Sequence, residues 1–135
     1  MMQWVQTRVR EDRGDIGSAL IVMLASIQVV LLVMHASLVY HGRQVATAAA
    51  QEALGTAQLF EGDTSAGEAA GANVLSISSG LFTSSNVSVT GGPSSGIVSV
   101  TVTARVDTKL FPVANRVSVT VSGPAERYLA EAERQ

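Results

Sequence analysis

The side chains that could catalyse a reaction are few, and their positions do not suit catalysis. The two histidines, His35 and His41, lie in or beside a long apolar stretch. They are six positions apart, so they would point to different sides of a helix. A serine hydrolase needs a histidine that reaches a serine in a pocket, and a zinc site needs several convergent ligands. We therefore predict no catalytic residue and no metal site.

The acidic residues offer no better basis for catalysis. Four of them could be imagined as general acid–base pairs: Glu52, Glu61, Asp63 and Glu68. Carboxylates at such helix positions are usually solvated or cap the helix. The glycines of residues 14–17 and 91–92 lack the lysine and the preceding strand of a phosphate-binding loop. The sequence predicts a protein that is not an enzyme and binds neither a cofactor nor a small-molecule substrate.

Composition bounds the remaining classes. The 135 residues allow one modest domain and one appendage, with 47% hydrophobic residues, 4% aromatic residues and no cysteine. The net charge of −2 provides no positive field for a phosphate backbone, so we expect no nucleic-acid partner. The hydrophobic excess must be concentrated in one segment.

That segment is the stretch from Ile16 to Gly42, which contains no Asp, Glu, Lys or Arg. As a helix it would be about 40 Å long, enough to cross a bilayer with some tilt. Arg8, Arg10 and Arg13 precede it and only Arg43 follows closely, which places the N-terminus in the cytoplasm and the C-terminal part outside. The sequence predicts a single-pass protein of the cell membrane.

Two alternatives concern this segment. A cleaved secretory signal would use Ala46-Thr47-Ala48, but its apolar region is usually only about 7–15 residues long, so a retained anchor is favoured. Gln28, His35 and Gly42 recur every seven residues and share one helix face, which could pack against another transmembrane helix, including that of a second copy. The other interpretation is a tolerated glutamine and a histidine near the outer headgroups.

Beyond the membrane the pattern first remains helical. One face of the extension carries small or apolar residues: Ala46, Ala50, Ala53, Leu54 and Ala57. Gly62-Asp63 breaks this helix, and Ser65-x-x-Glu68 then resembles a capping box that begins a second, short helix ending near Ser76. The glycines Gly67 and Gly71 make that helix intrinsically weak.

After Gly80 the period changes to two, which predicts three half-buried strands. Their alternating residues are Val87 and Val89; Val98, Val100, Val102, Ala104 and Val106; and Val117, Val119 and Val121. Residues 91–96 predict an antiparallel hairpin. The fold class is α+β: one long N-terminal transmembrane helix extending out of the membrane, a short second helix and a small three-stranded antiparallel sheet.

The predicted organisation has five parts. Residues 1–15 form a cytoplasmic leader, 16–42 the transmembrane helix, 43–61 its extension, 62–123 a small extracytoplasmic α+β domain and 124–135 an exposed tail. Because three short strands bury little area, the valine side must be covered by the long helix or by neighbouring molecules.

The segment from Arg13-Gly14 through the span, Tyr40-His41-Gly42-Arg43-Gln44-Val45-Ala46 and residues 48–53 resembles the TadE-like family of tight-adherence pilus assembly proteins, in an actinobacterial style. The similarity extends weakly to the strands and to residues 123–128. It implies a pilin-like fold and a pseudopilin-like or minor-pilin-like structural role in a Tad-type, type IV-related pilus or secretion machine, with its other components as partners.

The resemblance also implies a cleavage position. Prepilin peptidase cuts processed members after a glycine, and Gly17 before Ser18 is the candidate here. The fifth residue after that cut would be Val22, where the family commonly has glutamate. A cleaved pseudopilin and a permanently anchored assembly factor both remain open. A different class, a generic single-pass membrane-anchored binding module unrelated to pili, is the alternative function.

Overall fold

A computed structural model of the chain describes residues 3–59, 63–92, 95–108 and 115–125, with side chains from residue 16 onward. The elements are helix α1 (Gln3–Gln58), helix α2 (Thr64–Ile77), one 3-10 turn (Ser79–Leu81), and strands β1 (Phe82–Gly92), β2 (Ile97–Val106) and β3 (Arg116–Pro124). The predicted α+β class, with a long apolar helix, a shorter helix and three antiparallel strands, is confirmed.

The chain divides into two compact units, residues 1–36 and residues 37–135. The first unit consists of the N-terminal part of α1. Its large apolar side chains are exposed on every side of the helix: Ile16, Leu20, Ile21, Val22, Met23, Leu24, Ile27, Val29, Val30, Leu32, Val33 and Met34. By length and composition, the described part of α1 contains a stretch that could cross a membrane.

The second unit, which we call the head, is built on the three-stranded sheet, with β2 in the middle. Both strand pairs are antiparallel, and the register aligns the valines: Val100 lies opposite Val89 on one side and Val121 on the other. One side of the sheet is therefore a valine face, and the other is a polar face of serine, threonine and arginine. The predicted strand alternation is confirmed.

The hairpin between β1 and β2 is also confirmed. Gly91 and Gly96 adopt φ of 94° and 72°, which glycine reaches without the steric cost that a side chain would add. Ser95 accepts a hydrogen bond from the Gly92 amide at 3.0 Å and closes the turn. This turn sets the register of the first strand pair.

The core lies between the valine face and the two helices. On α1, Ala46, Ala49, Ala50, Ala53 and Ala57 are buried and form the alanine face. The largest fully buried side chains are the β2 valines Val98, Val100, Val102 and Val106. The predicted small-residue face of the helix extension is therefore confirmed, with Ala49 as an additional member.

Helix α2 packs closely because two of its buried positions are glycines. A Cβ at Gly67 would lie 2.9 Å from the Ala53 carbonyl oxygen and 2.9 Å from the Ala57 Cβ. A Cβ at Gly71 would lie 3.0 Å from the Ala53 Cβ and 3.1 Å from a Val87 methyl. These glycines weaken the isolated helix, but they let its backbone approach α1 and β1 together.

The predicted capping box at Ser65 and Glu68 is wrong. Helix α2 begins two residues earlier, with Asp63 rather than Ser65 at the N-cap and no side-chain hydrogen bond to the free amides. The Ser65 hydroxyl donates to Asp63 Oδ2 at 2.5 Å, and Glu68 Oε1 accepts the Val89 amide hydrogen of β1 at 3.1 Å. The Glu68 carboxylate therefore bonds the edge of strand β1 instead of capping α2, a contact that the residues around Glu68 do not predict.

The five-part division of the chain stays a prediction. Helix α1 continues from Gln3 through the expected leader, span and extension to Gln58. Gly123 and Pro124 belong to β3, so the chain leaves the sheet after the point where a tail was expected. The connection of residues 109–114 and the tail of residues 126–135 lie outside the described residues.

Candidate functional site

The two histidines lie in different units of the chain. His35 is half-buried in the first unit, and His41 is exposed on α1 in the head. In the part of the chain that the structure describes, no group of three His, Cys, Asp or Glu side chains could hold a metal ion. The arrangement of the described residues therefore offers no convergent ligand set.

The described carboxylates are used separately rather than as a catalytic pair. Glu52 is exposed on α1, whereas Glu68 accepts the Val89 amide hydrogen. Hydrogen bonds from the hydroxyl of Ser65, the larger cause, and from the hydroxyl of Thr64 lower the pKa of Asp63 below its ordinary 3.8. Glu61 lies outside the described residues. These contacts are typical of local structural roles.

The predicted packing face of Gln28, His35 and Gly42 does not present three equivalent positions. Gly42 is buried within the head, where an added Cβ would lie 2.5 Å from a methyl of Val106 and 3.5 Å from Phe82. Its lack of a side chain therefore serves a contact inside the chain. Gln28 is exposed and His35 is half-buried. A contact between transmembrane helices through these two residues stays a prediction.

The candidate cleavage position lies on the exposed surface of α1. Gly17 and Ser18 are both exposed, and a Cβ added at Gly17 would meet no atom within 4 Å. The glycine is therefore not required by packing inside the described chain. Cleavage after Gly17 stays a prediction.

The two edges of the sheet differ, which the sequence did not indicate. On β1 the outward amide of Val89 is bonded by Glu68, and α2 lies along this edge. On β3 the Asn115 carbonyl bonds to Val106, so by alternation the odd-numbered residues face β2 and the backbone of Arg116, Ser118, Thr120 and Ser122 faces outward. Within the described residues, those outward groups have no hydrogen-bond partner.

A groove of 420 Å³ lies between α2 and β1. It is lined by Ser65, Glu68, Ala69, Ala72, Leu75, Ser85, Asn86 and Val87. Its carboxylate is already bonded to the Val89 amide, and its described lining contains neither a histidine nor a lysine. The groove therefore has no base that could activate one of its serines.

The polar face carries one further feature that sequence inspection missed. Arg105 of β2 lies directly opposite Arg116 of β3, and both side chains are exposed. Alternation placed Arg105 on the polar face, but only the strand register brings the second arginine next to it.

Comparison with known proteins gives no relative: no family model, no curated protein and no solved structure matches this chain.

Proposed function

We propose that the protein is a non-enzymatic structural or assembly component, pseudopilin-like or minor-pilin-like, of a Tad-type, type IV-related pilus or secretion machine at the cytoplasmic membrane. One observation carries the proposal: helix α1 includes both an exposed apolar stretch that could cross a membrane and the alanine face on which the sheet and α2 pack. This is the arrangement expected of a pilin-like subunit, and it accompanies the sequence resemblance around residues 13–53.

The exposed apolar residues support the anchoring part of the proposal. Leu24 is 64% exposed and Ile21 is 70% exposed, within a stretch that contains no charged residue. Each large apolar side chain transferred from water to lipid gains about 1.5–3 kcal/mol. Arginines concentrated before the stretch favour a cytoplasmic N-terminus and a head outside the membrane.

The packing of the head supports the non-enzymatic part. Its buried hydrophobic side chains are valines, alanines and Leu75. Three described polar groups serve local contacts: Ser65 donates to Asp63, Glu68 bonds the edge of β1, and Ser95 closes the hairpin turn. A protein of this kind would act through contacts with other pilus components or with further copies of itself. It would function either after cleavage at Gly17 or as a permanent anchor.

The test is piliation in a deletion strain complemented with variants. Val100→Asp places a carboxylate in the buried centre of the sheet and should abolish pili, whereas Thr101→Asp, its neighbour on the polar face, should preserve them. His35→Ala, His41→Ala and Glu52→Gln should also preserve piliation. Shear-released filaments and microscopy provide the measurement, and immunoblots control for protein level.

Two outcomes would contradict the proposal. Normal pili in the deletion strain would remove the assembly role. Loss of pili in His41→Ala or Glu52→Gln at normal protein level would contradict the non-enzymatic role, because these exposed groups carry no described packing.

The second candidate is a membrane-anchored binding module unrelated to pili, and the open β3 edge favours it. Outward amide and carbonyl groups of a strand can add a partner's strand to the sheet. A photocrosslinker at Ser118 that captures one protein in a strain with normal pili would favour this module. Genes for a secretion ATPase and polytopic Tad platform proteins beside this gene would favour the pilus component.

A further inference from the structure

The arginine pair on the polar face, Arg105 and Arg116, should destabilise the isolated head. Arg105 and Arg116 occupy a position of the antiparallel ladder where the paired residues share no backbone hydrogen bonds, because Val106 and Asn115 form the adjacent bonded pair. Side chains at such positions approach most closely, and like charges directly opposite each other are destabilising. Elsewhere on this face the cross-strand pairs are neutral, as in Thr101 and Thr120, whose hydroxyls lie 3.1 Å apart.

Within the described residues no acidic side chain compensates this charge: neither arginine forms an ion pair, with Asp107 or with any other described carboxylate. Asp107 is half-buried, and its amide donates to the Leu81 carbonyl at 2.9 Å. Two guanidinium groups therefore face solvent side by side, each with donors suited to a phosphate.

The pair lies at one particular end of the head. Strand β2 ends at Val106, the residue after Arg105, and Val106 packs on Gly42 of α1. Gly42 is the last residue of the charge-free stretch, and the exposed Arg43 follows it. Among the described residues three arginines thus lie at the end where the chain enters the head, whereas the described turn residues at the other end of the sheet, Gly91, Gly92, Ser95 and Gly96, are uncharged.

We propose that Arg105 and Arg116 bind the phosphates of anionic phospholipid headgroups and hold this end of the head against the membrane surface. The inference rests on the membrane anchoring in the proposed function. An anionic bilayer surface would supply the counter-charge that the described residues do not, and it would lie next to Gly42, the residue at which the membrane-crossing stretch would end. When both guanidinium groups contact the same anionic surface, its negative charge offsets the repulsion between them.

The experiment uses the full-length chain in lipid nanodiscs. One set contains phosphatidylcholine alone, and the other contains equal parts phosphatidylcholine and phosphatidylglycerol. Amide hydrogen exchange is followed at Val117 and Val119, whose amides face β2 next to the arginine pair. Anionic lipid should slow exchange of the wild type by about 10- to 30-fold, since each basic side chain near such a surface contributes about five-fold in binding.

Two double variants test whether the positive charge of the arginines causes the lipid effect. Arg105→Gln with Arg116→Gln should exchange equally in both lipids, and in phosphatidylcholine it should exchange no faster than the wild type, since repulsion has been removed. Arg105→Lys with Arg116→Lys keeps the charge and should retain most of the lipid effect. A parallel sample in phosphatidylcholine with added inorganic phosphate distinguishes a lipid headgroup from a free anion and should show no slowing.

The proposal would be overturned by equal wild-type exchange in the two lipids, by slowing that survives in the glutamine variant, or by free phosphate that reproduces the whole effect. Failure of the chain to enter the nanodiscs at all would contradict the anchor, and the lipid contact with it. A different result is that the protein enters the nanodiscs but its amide exchange does not depend on lipid charge. That result would contradict the arginine contact alone.

Discussion

Two stretches of helix α1 use apolar residues in opposite ways. Between residues 16 and 34 the large side chains, such as Leu24 and Ile21, are exposed. Between residues 46 and 57 the small ones, such as Ala50 and Ala53, are completely buried. In the first stretch α1 therefore exposes large apolar side chains that no other part of the described chain covers. In the second stretch the side chains that the sheet and α2 cover are small, so each buries little apolar area.

Side-chain volume explains this contrast. Alanine contributes little hydrophobic area, but it lets the helix backbone approach a sheet and a second helix, and Gly67 and Gly71 complete that approach from α2. Leucine and valine on all sides of a helix gain nothing from such close packing, whereas a bilayer covers all of them. The first stretch is suited to lipid and the second to protein.

The largest effect should come from a charge in the valine core. Val100 is fully buried, so Val100→Asp should cost more than about 4 kcal/mol of unfolding free energy and leave the head unfolded. Thr101→Asp, on the polar face, should change the same quantity by less than about 1 kcal/mol. Chemical denaturation of detergent-solubilised protein, followed by circular dichroism, measures both; similar losses would contradict the assignment of faces.

The next largest effect on the unfolding free energy should come from placing a large side chain in the second stretch. Ala53→Leu should destabilise the head by about 1–3 kcal/mol because the Ala53 Cβ faces Gly71, where even an added Cβ would lie only 3.0 Å away. The reverse exchange, Leu24→Ala, should leave head unfolding unchanged, as should Ala48→Leu on the exposed side of α1. Equal sensitivity at Ala53 and Ala48 would show that close packing at the alanine face is unimportant.

A smaller loss is expected from Glu68→Gln. The neutral amide oxygen is a weaker acceptor for the Val89 amide, so we expect a loss of about 1 kcal/mol and faster exchange at Val89. Glu52→Gln is the matched control, because Glu52 is exposed on α1. Unchanged exchange at Val89 in the Glu68 variant would mean that the carboxylate does not protect this strand edge.

The smallest effect is the pH dependence of the start of α2. Hydrogen bonds from Ser65 and Thr64 lower the pKa of Asp63, so its contribution to stability is present above the ordinary carboxyl pKa and is lost as pH falls through the lowered value. Asp63→Asn should differ from the wild type near neutral pH and converge with it in acid. A carboxyl titration by NMR with a midpoint at or above 3.8 would contradict these contacts.

How much could be predicted depended on whether a contact was local or long-range. The valine alternation fixed the three strands because period two and half-burial go together, and the glycines of residues 91–96 fixed the hairpin. The contact of Glu68 with Val89 spans 21 residues, so a local capping motif was the only interpretation that the sequence offered. The juxtaposition of Arg105 and Arg116 likewise required the register of β3.

Gly42 likewise depends on a long-range contact. It lies seven residues from His35 and fourteen from Gln28, and this spacing predicted a shared face for another helix. Spacing gives only the position of a residue around the helix axis, not what the residue contacts. The structure shows that this glycine accommodates Val106 and Phe82 of the same chain. A glycine's partner is set by tertiary packing, which spacing along one helix does not encode.

The central claim is that lipid covers the first stretch of α1 while the head stands outside the membrane, and single-cysteine labelling tests it most directly. The natural chain has no cysteine. Leu24→Cys and Ser118→Cys both replace residues that are exposed in the chain itself. In intact spheroplasts, a membrane-impermeant maleimide should label Ser118→Cys rapidly and leave Leu24→Cys unlabelled until the membrane is dissolved in denaturing detergent. Rapid labelling of Leu24→Cys without detergent, or protection of Ser118→Cys, would contradict the account.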